Sequence, residues 1–313
     1  MTSTSPLPDM AQDRCTVCGQ GPLDSIDATE SLRYFACSHC GLCIKQVRDG
    51  GQREDFELGQ ASYYEDEEVD PFQEPTAIRK ERAARRAQVL SSYVVPGRKV
   101  LEIGPGGGQL ADWIVAQGAE YTGCEHSQVL TQKLRERGLN VSQGEFETLA
   151  FPEQVDLVLS FHIIEHVPEP LAQIEKAFEV TRPGGHFILG TPNAKSWEQR
   201  MLPRLSANFD IGHLHVFSPE SLRIMAQEAG WTVERVWTSE YTSDWLRLVT
   251  KTLRRLKGED EVASAGKYSR AASSGRVDAI ISGISTITAP FRKLQAGLRG
   301  GNEIIMVLRK PLS

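Results

Sequence analysis

A chain of 313 residues with 40% hydrophobic and 24% charged content has the composition of an ordinary soluble protein, long enough for one large domain or a medium one with additions. Its 35 Lys+Arg against 41 Asp+Glu, a formal charge of −6, lack the electrostatic footprint of a general nucleic-acid binder and leave only a local basic groove open. No basic stretch followed by an apolar run opens the sequence and no 18 consecutive residues look lipid-soluble, so the expected location is the cytoplasm.

Residues 1–50 carry five of the six cysteines and little else that predicts a core. The spacing is Cys15-x2-Cys18, eighteen residues, then Cys37-x2-Cys40. Two CxxC pairs supply four soft thiolates, each pair clamping one edge of a tetrahedral Zn2+, and Gly19 and Gly41 follow them where knuckle turns form. Four thiolates fill the coordination shell, so the expected metal is structural rather than a Lewis acid. Cys43 and His39 are surplus and read as a free thiol and a surface imidazole. A redox reading lacks its thioredoxin-like context.

Residues 51–96 form a polar linker with an acidic run, Glu65–Glu68 plus Asp70, and then an Ala- and Arg-rich helix over 76–93. From residue 97 strand and helix patterns alternate, the signature of a layered α/β domain. Strands are predicted near 99–103, 120–124, 140–143, 155–160, 185–190 and 231–237, and helices over 107–117, 127–137, 170–181 and 219–229. Gly138, Gly184 and Gly230 sit where helices should stop. The alternation breaks after Glu240. Residues 241–300 hold an amphipathic basic helix over 244–257, a Ser/Gly/Ala-rich stretch over 262–276 and an apolar helix over 278–298, and 301–313 restores a last strand.

The stretch KVLEIGPGGGQLADW, from Lys99 to Trp113, places a glycine turn between a strand and a helix, which lets a ligand approach the backbone. No Gly-Lys-Ser/Thr follows, which excludes a Walker A loop, and Gln109 stands where a dinucleotide fingerprint needs its third glycine. Glu102 before the turn would repel a pyrophosphate but suits an ammonium group. Glu125, which closes the next strand, can accept both ribose hydroxyls. These residues favour a nucleoside with a cationic, carboxylate-bearing tail.

The patterns LEIGPGGGQL, GCEHS and VDLVLSFHIIEHVPEPLAQIEKAFEVTRPGGHFILGTPN resemble the class I S-adenosylmethionine-dependent methyltransferases, particularly their small-molecule branch, over residues 97–237 and again over 303–310. The resemblance implies a Rossmann-like seven-stranded α/β sheet, here with an N-terminal zinc ribbon-like module and a helical insertion before the last strand. It implies that Glu102, Gly104, Pro105 and Gly106 line the methionine end of S-adenosylmethionine, that Glu125 holds the ribose beside His126, and that Glu145 and Phe146 meet the adenine. Glu145 replaces the aspartate common in the family. Ser160, at the end of the fourth core strand, is counted with the cofactor residues.

Acceptor groups are expected at the C-terminal ends of the middle strands. The resemblance places His166 by the methyl-transfer cleft, with Glu165 as a buried structural carboxylate. Asp210-x2-His213-x-His215 precedes a segment that in small-molecule methylases covers the acceptor, which makes His213 and His215 further candidates for acceptor deprotonation. A metal site built on Asp210, His213 and His215 is the competing reading and lacks a fourth ligand.

Four-cysteine modules ahead of this fold resemble both small-molecule enzymes and ribosomal-RNA base methylases. Residues 1–50 hold four Arg/Lys against six Asp/Glu, which favours a small molecule. Ser160-Phe161-His162-Ile163 replaces the Asn/Asp-Pro-Pro-Tyr/Phe tetrapeptide tied to nitrogen methylation, so oxygen is the first expectation. A sugar C-methyltransferase and a non-catalytic cofactor-binding regulator are the alternatives. Segment 241–300, with Trp245, Leu246, Leu248, Val249, Leu253 and Leu256 among basic residues, reads as a lid, a homodimer surface or a peripheral membrane contact.

Overall fold

The computed structural model describes residues 14–27, 32–47, 77–203, 206, 208–209, 212–256 and 275–312. The acidic run 65–68, Asp70, Asp210 and most of the 262–276 stretch lie outside the described residues.

The alternating pattern after residue 97 folds into a seven-stranded sheet. Its strands are β4 (Lys99–Ile103), β5 (Glu120–Glu125), β6 (Val141–Gln143), β7 (Val155–Phe161), β8 (Thr181–Pro192), β10 (Thr232–Ser239) and β11 (Glu303–Arg309). They lie in the order β10-β11-β8-β7-β4-β5-β6. Every pairing from β8 to β6 is parallel and only β11 runs antiparallel to its neighbours. The chain moves from β4 to β5 and β6 on one side and to β7 and β8 on the other. The crevice at the carboxyl ends of β4 and β7 is therefore the topological switch point, where open α/β sheets hold ligands.

Period-two burial sends alternate side chains of each strand to opposite faces. Val100, Tyr121, Leu157, Leu159, Ile188 and Ile305 pack beneath α1 (Ala77–Leu90), α2 (Gln109–Ala116) and α3 (Gln128–Glu136). Leu101, Val158, Phe187, Leu189, Ile304 and Met306 meet α4 (Pro170–Val180) and α6 (Pro219–Glu228). Helix starts follow their side chains: Ser127 accepts the Leu130 N–H, and Ser218 accepts those of Glu220 and Ser221 with Pro219 next in line. Between α4 and α6 lie a short α5 (Trp197–Met201) and β9 (His215–Val216).

Gly138 and Gly230 close α3 and α6 in left-handed conformation, as expected. Gly184 does not: α4 ends four residues earlier and passes straight into β8. The Thr181 hydroxyl takes the Ala177 carbonyl there, and Pro183 cannot continue a helix.

The N-terminal cysteines sit on a meander of β1 (Leu23–Asp27), β2 (Leu32–Cys37) and β3 (Cys43–Val47) with buried Tyr34 and Leu42, more core than its composition predicted. β3 continues into the core through β9, with Cys43 opposite Val216 and Ile44 opposite His215. The module is thus the other half of a sheet shared with the core.

The insertion between β10 and β11 is α7 (Thr242–Leu256) and α8 (Gly275–Gly297). Arg292 of α8 is buried and bonds Glu81 of α1 at 2.7 Å and the Ser285 carbonyl at 2.8 Å. Trp245 Nε1 donates to Gln295 Oε1 at 3.3 Å, fastening α7 to α8.

Candidate active site and thiol cluster

The glycine turn begins where Gly104 N–H donates to Cys124 O and bends through Gly104, Gly106 and Gly108, all at positive φ. A Cβ built on Gly104 would stand 2.2 Å from Ile163 Cδ1, whereas one on Gly106 meets nothing within 4 Å. Gly104 is thus glycine for the fold, and the space over Gly106 is open for a ligand.

Glu125 reaches the same turn, accepting the Gly106 N–H at 3.3 Å and the Ser127 N–H at 2.9 Å. Burial raises its pKa against those bonds. A buried carboxylate beside an open glycine cradle suits a pair of ribose hydroxyls. Glu102 is buried and accepts the Tyr121 hydroxyl at 2.9 Å, and burial pushes it up to about 7. Pro105 is buried, with its carbonyl accepting the Gly108 N–H, and His126 is exposed. Glu145 is exposed and opens a single 3-10 turn, Phe146–Thr148. Phe146 is buried and packs at 5.6 Å on Phe151, and Ser160 is buried with its hydroxyl 3.5 Å from Gln173 Oε1.

The loop after β7 lies against this turn, as the Ile163 contact shows, and carries Glu165 and His166. The Glu165 side chain is fully buried, accepting the Thr191 hydroxyl at 2.9 Å and pairing with His162 Nδ1 at 3.2 Å. His162 Nε2 in turn meets Glu303 Oε1 at 2.8 Å, and Tyr241 donates its hydroxyl to Glu303 Oε2 at 2.5 Å. Arg86 lies 3.5 Å from Glu303 and stacks over Phe161 at 4.4 Å. Burial works against charge on all three central groups, yet mutual pairing wins. His162 is held above its usual pKa, and Glu165 and Glu303 are lowered to about 2. With both ring nitrogens on carboxylates, His162 is an imidazolium rather than a base. It also sits at φ 58°, a strained position fixed by its two partners.

His166 and His213 come together, with ring centroids 4.9 Å apart. Each Nδ1 pairs with a backbone carbonyl, Gly212 O at 2.8 Å for His166 and Asn208 O at 2.9 Å for His213. That pairing puts a proton on Nδ1 of each ring. Ligand atoms of Glu165, His166 and His213 lie within 4.8 Å of one another, but both Glu165 oxygens are already engaged. His215 stands apart: it belongs to β9, stacks on Phe217 at 5.8 Å, and burial lowers it to about 4. The Asp210 needed for the alternative metal site is not among the described residues.

The four cysteine sulfurs lie within 4.8 Å of one another, with Cys15–Cys40 at 3.6 Å and Cys18–Cys37 at 3.5 Å. Tetrahedral thiolates at ~2.3 Å from Zn2+ stand ~3.8 Å apart, so the set fits such an ion. Paired knuckles hold it, Gly19 N–H on Cys15 O at 2.9 Å and Gly41 N–H on Cys37 O at 2.8 Å. Cys43 is buried in β3, its thiol pushed up to about 12 by burial, and His39 is exposed. The module touches the segment around His213 directly. The Tyr34 hydroxyl donates to His213 O at 3.1 Å, Lys45 N–H donates to Leu214 O at 2.9 Å, and Ser218 Oγ bonds Cys40 O.

Sequence reasoning missed Glu303, Tyr241 and Arg86. The available signal was a lone carboxylate opening the otherwise apolar strand EIIMVL.

A methyltransferase-domain family model matches residues 76–236. The chain is 30% identical over 159 residues to a ubiquinone biosynthesis O-methyltransferase of Pseudomonas fluorescens, covering 45% of this chain and 67% of that one. It is 35% identical over 111 residues to the enzyme of that name from Pectobacterium carotovorum, covering 32% of this chain and 46% of that one. Among solved structures, the cyclopropane synthase MmaA2 from Mycobacterium tuberculosis matches with a TM-score of 0.53 at 19% identity, covering 82% of this chain and 98% of its own. The [4+2]-cyclase SpnF matches with a TM-score of 0.50 at 17% identity, covering 84% and 95%. These two share the fold alone. With its glycine turn and Glu125 at the switch point of the sheet, and with a family model spanning more than half of its length, the chain belongs to the class I S-adenosylmethionine-dependent methyltransferases.

Proposed function

We propose that the chain methylates an oxygen of a small organic acceptor in the cytoplasm, with His166 or His213 taking the acceptor proton. The observation that supports this reading is that Ile163 of the His162–His166 loop packs on Gly104, while His166 of the same loop pairs with His213 at 4.9 Å between ring centroids. The named relatives, O-methyltransferases of ubiquinone biosynthesis, support oxygen and an acceptor of that kind.

S-adenosylmethionine, when bound, supplies the electrophilic methyl group. Gly104 to Gly106 admit it to the backbone, Glu125 holds its ribose, and Glu102, His126, Glu145, Phe146 and Ser160 border the rest of its site. His166 or His213 takes the acceptor proton on Nε2 as the oxygen becomes nucleophilic. The His162 imidazolium with its two carboxylates fixes the loop. His215, uncharged at neutral pH, is a wall residue of the same segment. Cys15, Cys18, Cys37 and Cys40 hold a structural Zn2+ whose role is folding and placement.

A sugar carbon is the second reading, and it rests on the resemblance of this layout to sugar C-methyltransferases that also carry four-cysteine modules; here the module lies outside the matched family region. The test incubates the purified enzyme with methyl-labelled cofactor and a panel of catechols, phenols and keto-sugars, followed by mass and carbon NMR of the product. Methyl on oxygen, with a turnover pH profile altered by His166→Ala or His213→Ala, supports the proposal. A carbon-bound methyl, or profiles superimposing on the parent, overturns it.

A further inference from the structure

Charge is not spread evenly along this chain. Segment 241–300 holds eleven Arg/Lys against five Asp/Glu, while the rest holds 24 against 36. A net-positive insertion thus stands on a strongly net-negative protein.

The same segment exposes apolar surface in register. Along α8 and just past its end, Ile287, Phe291, Leu294 and Leu298 recur at intervals of four, three and four, and all are 59–74% exposed. The stripe is about 16 Å long at the helical rise. Lys293, about 100° round the helix from Leu294, and Arg299, just past the helix end, are exposed, and Val249 and Leu253 of α7 are also more than half exposed. The opposite face of α8 is fixed, since Arg292 and Gln295 are buried in bonds to Glu81, Ser285 and Gly300. The helix therefore cannot roll its stripe inward without breaking a buried ion pair. A contiguous exposed apolar stripe of this kind marks a contact site.

Charge decides between occupants. A two-fold symmetric dimer through α8 would bring the net-positive insertions of two copies together, a like-charge approach. An anionic bilayer complements both features, burying the aliphatic and aromatic side chains at the headgroup boundary while Lys and Arg meet lipid phosphates. No helix among the described residues is long and apolar enough to cross a membrane. We propose that α7 and α8 form a peripheral docking face for an anionic lipid bilayer. This goes beyond methyl transfer and is tested without it.

The experiment is flotation of the full-length protein with large unilamellar vesicles of phosphatidylcholine, alone or with a quarter phosphatidylglycerol. Binding is expected only with phosphatidylglycerol, and it should weaken about tenfold in Phe291→Ser/Leu294→Ser and again in Lys293→Glu/Arg299→Glu. All four side chains are exposed, and circular dichroism and S-adenosylhomocysteine affinity should remain those of the parent. Equal partitioning to both vesicle types, or binding unchanged in both variants, overturns the proposal. So does sedimentation showing a parent dimer that Phe291→Ser/Leu294→Ser dissociates, because the stripe would then belong to a second copy.

Discussion

Alanine at Gly106 and alanine at Gly104 test the cofactor turn by the same chemical change with opposite consequences. Both residues have positive φ, 54° and 65°, so each replacement carries backbone strain of roughly 1–2 kcal/mol. At Gly104 the new methyl would also overlap Ile163, whose Cδ1 and Cγ1 lie 2.2 and 2.8 Å from its ideal position, adding an overpacking cost of about 1–3 kcal/mol. At Gly106 no protein atom lies within 4 Å, so stability should fall by the strain alone. The methyl would instead occupy ligand space, and the same 1–3 kcal/mol of steric cost becomes a loss of about five- to 150-fold in affinity. Calorimetry with S-adenosylhomocysteine and thermal melts separate the two effects. Gly106→Ala should melt close to the parent and bind poorly, while Gly104→Ala should melt well below both. A Gly106→Ala protein that binds S-adenosylhomocysteine as tightly as the parent would refute this placement of the cofactor.

Glu125→Ala removes a buried carboxylate that receives two backbone N–H groups, and S-adenosylhomocysteine affinity should drop by about one to two decades in the same calorimeter. Elemental analysis of the untagged protein should return one zinc per chain, and Cys37→Ser should lose that zinc and speed amide exchange in β9. Glu102, raised to about 7 from 4.5, is destabilising as it ionises, so Glu102→Gln should show a melting advantage that is absent below pH 4.5 and grows through pH 7, by up to about 3 kcal/mol. For His162, raised by its carboxylates, the contribution to stability is full below its unfolded pKa near 6.5 and fades as pH rises through the folded value. Proton NMR of Glu303→Gln should therefore show a lower His162 midpoint than the parent. Glu165 and Glu303, lowered to about 2, contribute above 4.5 and lose that contribution as pH falls toward 2, which an acid titration of the parent should register as unfolding.

The parts of this molecule legible in the sequence are those specified over short stretches. Strand β4, the glycine turn and α2 follow one another within eighteen residues, and each CxxC knuckle needs only four. The seven-stranded order follows from strand and helix alternation because crossover connections leave few alternatives. The small sheet was not legible, since β3 finds its partner β9 only after 167 intervening residues and β9 itself is two residues long. The same holds for the His162–Glu303 pair, 141 residues apart, and for Tyr34 on His213, 179 apart. The spacing Asp210-x2-His213-x-His215 grouped the two histidines. His213 precedes β9 and meets His166, while His215 lies within β9 and stacks on Phe217.

That division between local and long-range contacts follows the two jobs of the site. The cofactor is common to the family, and its turn and carboxylate come from one βαβ unit. The histidine cluster gathers Tyr34, the His162–His166 loop, His213 and Glu303 from four distant segments. The segment that runs from His213 into β9 is gripped twice: Leu214 and His215 N–H groups donate to Glu165 O on one side, and Tyr34 and Lys45 bond His213 O and Leu214 O on the other. Tyr34 is itself stacked on Phe209 at 4.2 Å, so the grip is rigid. Release of the cysteine module would remove the Tyr34 and Lys45 contacts and leave the segment held by Glu165 O, with the two imidazoles still on the Gly212 and Asn208 carbonyls. Zinc bound by the four thiolates would reach the His213 segment through Tyr34 and Lys45, contacts that also join the module to the core.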